Sequence, residues 1–160
     1  MYDRILVPTD GSPETERAVE HAADLAVAHG AELHGIYVIN SATFAGLPME
    51  TSWEGVNDVL REEGESALER VAEIAADRGL DATTQLVDGS PSRRIVEYAE
   101  REGCDLVVMG THGRGGIDRL LLGSVAEGVV RASTVPVLTV RVGDEGESES
   151  GSETERAAVE

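Results

Sequence analysis

Residues 110–124, GTHGRGGIDRLLLGS, gather the groups in this chain whose types and spacing could do chemistry. Gly110 is followed after two residues by Gly113, and after nine more by Gly123-Ser124. Glycine adopts positive φ without strain and lets a ligand approach where a Cβ would block it. A serine at a helix start offers a hydroxyl and a free amide to an oxyanion. The chemistry this pattern suits is phosphate binding. A flexible surface loop with a serine cap is the alternative that spacing alone leaves open.

The flanks decide how such a loop is held. Leu106-Val107-Val108-Met109 is a short apolar run that reads as a buried parallel strand. Val125 to Arg131 reads as a helix. A glycine-rich loop between a strand end and a helix start is where open α/β folds bind phosphates.

The rest of the chain alternates strand and helix. Arg4 to Thr9 reads as a central strand with Pro8 at its end. Asp10-Gly11-Ser12-Pro13 is turn chemistry leading into a helix, with Ser12 as N-cap, Pro13 at the first helical position and Gly30 as the stop. A second strand spans Glu32 to Ile39, and a long helix runs from Trp53 to Arg78. Gly55 and Gly64 weaken that helix by roughly 1 kcal/mol each. A third strand covers Asp81 to Val87. A third helix follows the cap and proline at Ser90-Pro91, and Val135 to Val140 forms a fifth strand. Residues 41–52 read as a loop whose Phe44, Leu47 and Met49 fold over a ligand or tuck onto the core.

This pattern predicts an α/β fold, an open five-stranded parallel sheet of order 3-2-1-4-5 with helices on both faces. The switch point then lies between the first and fourth strands, and ligands bind outside the strand ends there. Thr9-Asp10 comes beside Gly110 at one cleft. Residues 1–142 form this domain; residues 143–160, GDEGESESGSETERAAVE, read as an acidic disordered tail.

Composition excludes several functions. The net charge is −18, from 31 acids against 13 basic residues, all of them arginine. The first 142 residues alone carry 24 acids and 12 arginines. Such a chain repels nucleic acid and anionic membranes. Five aromatics offer no base-stacking platform. No run of about 18 apolar residues is present, and no signal peptide precedes the first strand, so the expected location is the cytoplasm. The single Cys104 suits a reducing compartment and reads as a small buried apolar residue rather than a reactive thiol. An acid-rich surface without lysine resembles those of halophile cytosolic proteins. His21, His29 and His34 are scattered and read as polar surface or edge residues. His112 reads as a solvent-exposed loop histidine, because no nucleophile with a matching base lies nearby in sequence. There is no lysine for a Walker-type loop and no complete G-x-G-x-x-G after the first strand.

Three stretches carry a family resemblance: Ile5-Leu6-Val7-Pro8-Thr9-Asp10-Gly11-Ser12, Asp105-Leu106-Val107-Val108-Met109-Gly110, and the G-x2-G-x9-G-[ST] pattern of Gly110, Gly113, Gly123 and Ser124. With Val135 to Val140 as a final strand, residues 1–142 resemble a universal stress protein of the UspA type, in its ATP-binding branch. The resemblance implies a Rossmann-like, adenine nucleotide alpha hydrolase-like fold that binds ATP or AMP, with Mg²⁺ or Mn²⁺ riding on the phosphates. By that resemblance Pro8, Thr9 and the Val38 backbone line the adenine side, and Asp10 sits near the ribose or a phosphate-bound metal. Gly110, Gly113, Gly123, Ser124 and the Val125 amide hold the phosphates, and Met109 is a further nucleotide-binding residue. Asp10 as a turn-forming residue, and Arg114 as either a phosphate contact or a solvated arginine, stay open on the residues themselves. The expected role is a regulatory or protective nucleotide-binding module in stress response, acting as a homodimer through the edge strand 135–140. A nucleotide-independent interaction protein and a slow ATP hydrolase are the alternatives.

Overall fold

A computed structural model describes residues 1–40, 53–112 and 122–141, without the side chains of Trp53 and Glu54. The loop expected at 41–52, the residues Gly113 and Arg114, and the tail from 143 onward lie outside the described residues.

The described chain forms β1 (Arg4–Pro8), α1 (Pro13–His29), β2 (Glu32–Ile39), α2 (Trp53–Ala76) and β3 (Ala82–Asp88). It continues with α3 (Pro91–Arg101), β4 (Leu106–Gly110), α4 (Ser124–Ala132) and β5 (Val137–Val140). The sheet order is β3-β2-β1-β4-β5, and every pair is parallel, as the alternating pattern predicts.

β1 is central because its side chains are apolar on both faces. Ile5, Leu6 and Val7 are each fully buried. Ile5 and Val7 pack with Ala18, Ala22 and Ala26 of α1 and with Val71 and Ile74 of α2. Leu6 packs the other way, with Ile95 and Tyr98 of α3 and Ala126 and Val129 of α4. The sheet is thus covered on both faces, two helices to each.

The local signals in α1 act as their residue types require. The Thr15 amide donates to Ser12 Oγ at 3.3 Å, Pro13 opens the helix, and Gly30 closes it at φ 65°. Ser90 occupies the N-cap of α3, but its side chain makes no capping bond. α2 ends at Ala76, two residues short of the expected Arg78; the Leu80 amide donates to Ala75 O in the turn that follows. β5 begins at Val137 rather than Val135. The Pro136 carbonyl still accepts from the Val107 amide at 3.0 Å, so proline stands at the strand's entrance.

Two expectations are corrected by packing. His34 is no surface or edge residue: it is buried on β2, with Nδ1 2.8 Å from the Tyr98 hydroxyl. The strand beside β1 is interior; Tyr98 meets Nδ1, while Nε2 has no hydrogen-bond partner among the described residues and lies 3.6 Å from Glu32 Oε2. Gly64 is also more than a weak point in α2. A Cβ there would come within 2.5 Å of Leu86 Cδ1 and 2.8 Å of Tyr37 Cδ1, so glycine sets how closely α2 lies on β2 and β3. Cys104 is buried, as its sequence context predicts.

Candidate nucleotide site

The site starts where β1 stops. Beyond Pro8, the Thr9 amide donates to Ile36 O at 2.9 Å, which extends the pairing with β2 by one residue. Asp10 Oδ1 then accepts the Ser12 amide at 2.9 Å and lies 3.0 Å from the Thr15 hydroxyl. That is an Asx turn closing onto the first turn of α1. Thr9 Oγ1 accepts the Gly11 amide at 3.1 Å, and Gly11 takes φ 77°, a conformation that suits glycine. The turn reading of Asp10 therefore holds, and it aims the residue at the strand end.

The second wall is the end of β4. The Thr111 amide donates to Val140 O at 3.1 Å, and Gly123 returns to donate its amide to Thr111 O at 2.8 Å. Gly123 has φ −61° and sits at the N-cap of α4. Its glycine character serves close approach, not a left-handed conformation: a Cβ there would stand 3.2 Å from Thr111 O. Gly110 is tight in the same way, 3.2 Å from His112 O and 3.8 Å from Thr15 Cγ2. Thr15 of α1 thus stands close enough to Gly110 of β4 that a side chain at 110 would touch it. With glycine at its N-cap, α4 has no side chain capping its first amides. Those amides and the helix dipole favour an anion. Ser124 is exposed at this point.

A cavity of about 690 Å³ lies between the walls. Pro8, Thr9 and Asp10 line it from β1 and its turn, and Val38 lines it from β2. Met109 and Gly110 line it from β4, with Gly123, Ser124 and Val125 at the start of α4. All nine described residues expected at the site face one cavity of the size that small ligands occupy. Sequence reasoning missed Thr15, Asn40, Glu63, Pro91, Ile95 and the cavity role of His112. Thr15 carried a signal, since a capped helix places its third residue back over the turn. Glu63 and Ile95 carried none; helix packing alone brings them in.

His112 differs from its expected solvent exposure. It is half-buried, with Nδ1 3.1 Å from Thr111 Oγ1. Its Nε2 is buried and has no hydrogen-bond partner among the described residues. A smaller cavity of about 520 Å³ lies between α1 and α2 and shares Thr9 and Glu63 with the first. Its Arg70 is paired with Glu16 and Glu73. Among the described residues, no group of three His, Cys, Asp or Glu side chains is placed to hold a metal ion. Nor is any described helix long and apolar enough to cross a membrane.

Residues 1–141 match the model of the universal stress protein family. The chain belongs to that family. It is 44% identical over 141 residues to a universal stress protein of Methanocaldococcus jannaschii, covering 88% of this chain and 83% of the relative. A second protein of that organism, whose structure was solved to assign its biochemical function, superposes with a TM-score of 0.80 at 33% identity. That match covers 90% of this chain and 99% of the other. A universal stress protein crystallised in complex with cAMP is 32% identical, with a TM-score of 0.67 over 87% of this chain and 97% of its own. The family's fold is the sheet described above, with strands 3-2-1-4-5 and helices.

Proposed function

We propose that this universal stress protein binds an adenine nucleotide, ATP or AMP, and acts as a regulatory or protective binding module. The carrying observation is the cavity at the switch point, with an uncapped helix start at one end and the strand-end turn of Asp10 at the other. Pro8, Thr9 and the Val38 backbone supply an apolar wall with peptide groups for a base. Asp10, fixed by its Asx turn, stands where a ribose or a phosphate-bound cation would lie. Gly110, Gly123, Ser124 and the Val125 amide form the phosphate end, which Gly113 and Arg114 extend by their place in the sequence pattern. The tightness at Gly110 and Gly123 fits a backbone cradle, because a Cβ at either would press on the loop. A Mg²⁺ or Mn²⁺ would arrive with the phosphates and need few protein ligands. A relative of similar fold bound to cAMP supports the nucleotide class.

The protein acts as a cytoplasmic homodimer in this reading, joined along the edge strand β5. Mass spectrometry of ligand released from purified protein, followed by calorimetry with ATP, AMP and GTP, tests the function. Release of an adenine nucleotide, and weaker binding of GTP, is the expected result. Failure of any adenine nucleotide to bind would leave the fold as an interaction module.

A further inference from the structure

We infer that His112 donates its Nε2–H to a phosphoryl group of the bound ligand and so separates phosphorylated nucleotides from nucleosides. This rests on the nucleotide reading of the cavity. His112 lines that cavity, and its Nε2 is buried with no partner among the described residues. Buried polar atoms are nearly always hydrogen-bonded, so an orphan in a ligand site marks the place of a ligand atom.

The Thr111 hydroxyl lies 3.1 Å from Nδ1 and can donate or accept there. Where it donates, the ring proton is on Nε2, which is then a donor whose proper partner is an oxyanion; an oxyanion at Nε2 selects that arrangement over the one in which Nδ1–H donates to Thr111. The ring also sits at the anion end. A Cβ on Gly123 would lie 3.9 Å from His112 Cδ2, so the edge carrying Cδ2 and Nε2 is beside the start of α4. The helix dipole and the first amides converge there.

Charge narrows the choice further. Two carboxylates, Asp10 and Glu63, line the cavity. Among its described lining residues, His112 is the one side chain able to carry positive charge. An anionic group entering this cavity is therefore directed to the end formed by His112 and α4, and the uncharged part of the ligand to the β1–β2 side.

Calorimetry of the full chain with ATP and with adenosine tests this, comparing wild type with His112→Ala, His112→Gln and His112→Asn. A lost hydrogen bond to a charged group should lower ATP affinity roughly tenfold or more in His112→Ala. Adenosine affinity should be unchanged. Glutamine carries an amide N–H at the end of a side chain that reaches about as far as Nε2, so His112→Gln should recover most ATP affinity; the shorter asparagine should not. Unchanged ATP affinity in a folded His112→Ala overturns the inference. Equal losses for ATP and adenosine also overturn it, because they assign the ring to packing alone. If wild type binds neither compound, the nucleotide reading itself falls, and the role of His112 with it.

Discussion

The Thr15 hydroxyl lies 3.0 Å from Asp10 Oδ1 and links the first turn of α1 to the end of β1. Thr15 is buried, and its Cγ2 also faces Gly110 across the cleft. Thr15 thus adds to the Asx turn in holding the Asp10 carboxylate and stands close to the second wall. Thr15→Val keeps the shape and removes the hydroxyl. Stability should fall by about 1–2 kcal/mol, because the hydroxyl donates toward Asp10 Oδ1 and Ser12 O and accepts from Ser12 Oγ. ATP affinity should fall a few-fold as Asp10, still held by the Ser12 amide, loses its second anchor. Thermal denaturation and calorimetry on the same sample separate the two effects; unchanged affinity would remove Thr15 from the site's support.

Gly123→Val tests the cradle. Its Cβ would begin 3.2 Å from Thr111 O, and the branch beyond it would occupy space beside the first amides of α4. ATP affinity should drop at least about tenfold, roughly 1.4 kcal/mol, with the folded far-ultraviolet spectrum intact. Gly113→Val is expected to act in the same direction from the sequence pattern alone. Wild-type affinity in folded Gly123→Val would move the phosphates elsewhere.

The mid-helix glycine of α2 makes a prediction with an unusual sign. Gly64→Ala should gain roughly 1 kcal/mol of helix propensity on an exposed face. Here the new methyl would overlap Leu86 and the buried Tyr37 ring, so the melting temperature should fall instead. Because Tyr37 lines the cavity, nucleotide affinity should fall with it. A raised melting temperature would show that Tyr37 and Leu86 give way easily.

The order of elements was legible because each signal was local. Ser12-Pro13 and Gly30 bound α1 at the residues expected, and the apolar run Ile5-Leu6-Val7 could only belong to a strand covered on both sides. The meeting of Thr9-Asp10 with Gly110 followed from sheet order alone. What stayed hidden depends on which face a neighbour covers. Nothing in the pattern around His34 says that Tyr98 of α3 will close over it. Gly64 reads as a weakness until Tyr37 and Leu86 are seen beneath it. His112 reads as solvent-facing until the chain returns at Gly123. Strand starts shifted later by one residue at β3 and by two at β5, where the ladder begins after the expected run does.

Burial gives the protein an alkaline weakness. Desolvation pushes the Cys104 thiol up to about 11 and the Tyr98 hydroxyl up to about 12. In the unfolded chain these groups ionise near 8.5 and 10. Both therefore stay protonated in the folded protein at pH values where the unfolded chain has begun to lose their protons. Their contribution is complete below about pH 8.5 and is lost as pH rises toward the folded values. Urea midpoints measured from pH 7 to 11 should decline, and Cys104→Ala should flatten the lower part of that decline. A thiol-reactive disulfide reagent at pH 8 should label Cys104 only after unfolding; rapid labelling of the native protein would contradict its burial.

The outer edge of β5, the last strand of the described sheet, carries the assembly prediction. β5 lies last in the sheet, and Leu138 is 37% exposed. Val137, by contrast, packs against the core cluster beneath α3 and α4, so charging it would damage the fold. Leu138→Lys is the cleaner test. Light scattering should report a dimer for the wild type and a monomer for this variant, with little change in thermal stability of the protomer. A persisting dimer would place the contact on another surface.

β1 is the first strand in the chain and the middle strand of the sheet. On the ribosome, Ile5-Leu6-Val7 therefore emerges long before its second neighbour. β2 can pair with it early, but β4, at Leu106–Gly110, follows only about 100 residues later. At roughly 5–20 residues per second, translation leaves one side of β1 without its partner for on the order of 5–20 s. The unit β1–α1–β2–α2–β3 is complete first and must wait with an open edge. Nascent chains of this fold are thus most exposed to mispairing in that interval, and synonymous slowing of translation between β3 and β4 should lower the yield of soluble protein while leaving the finished molecule unchanged.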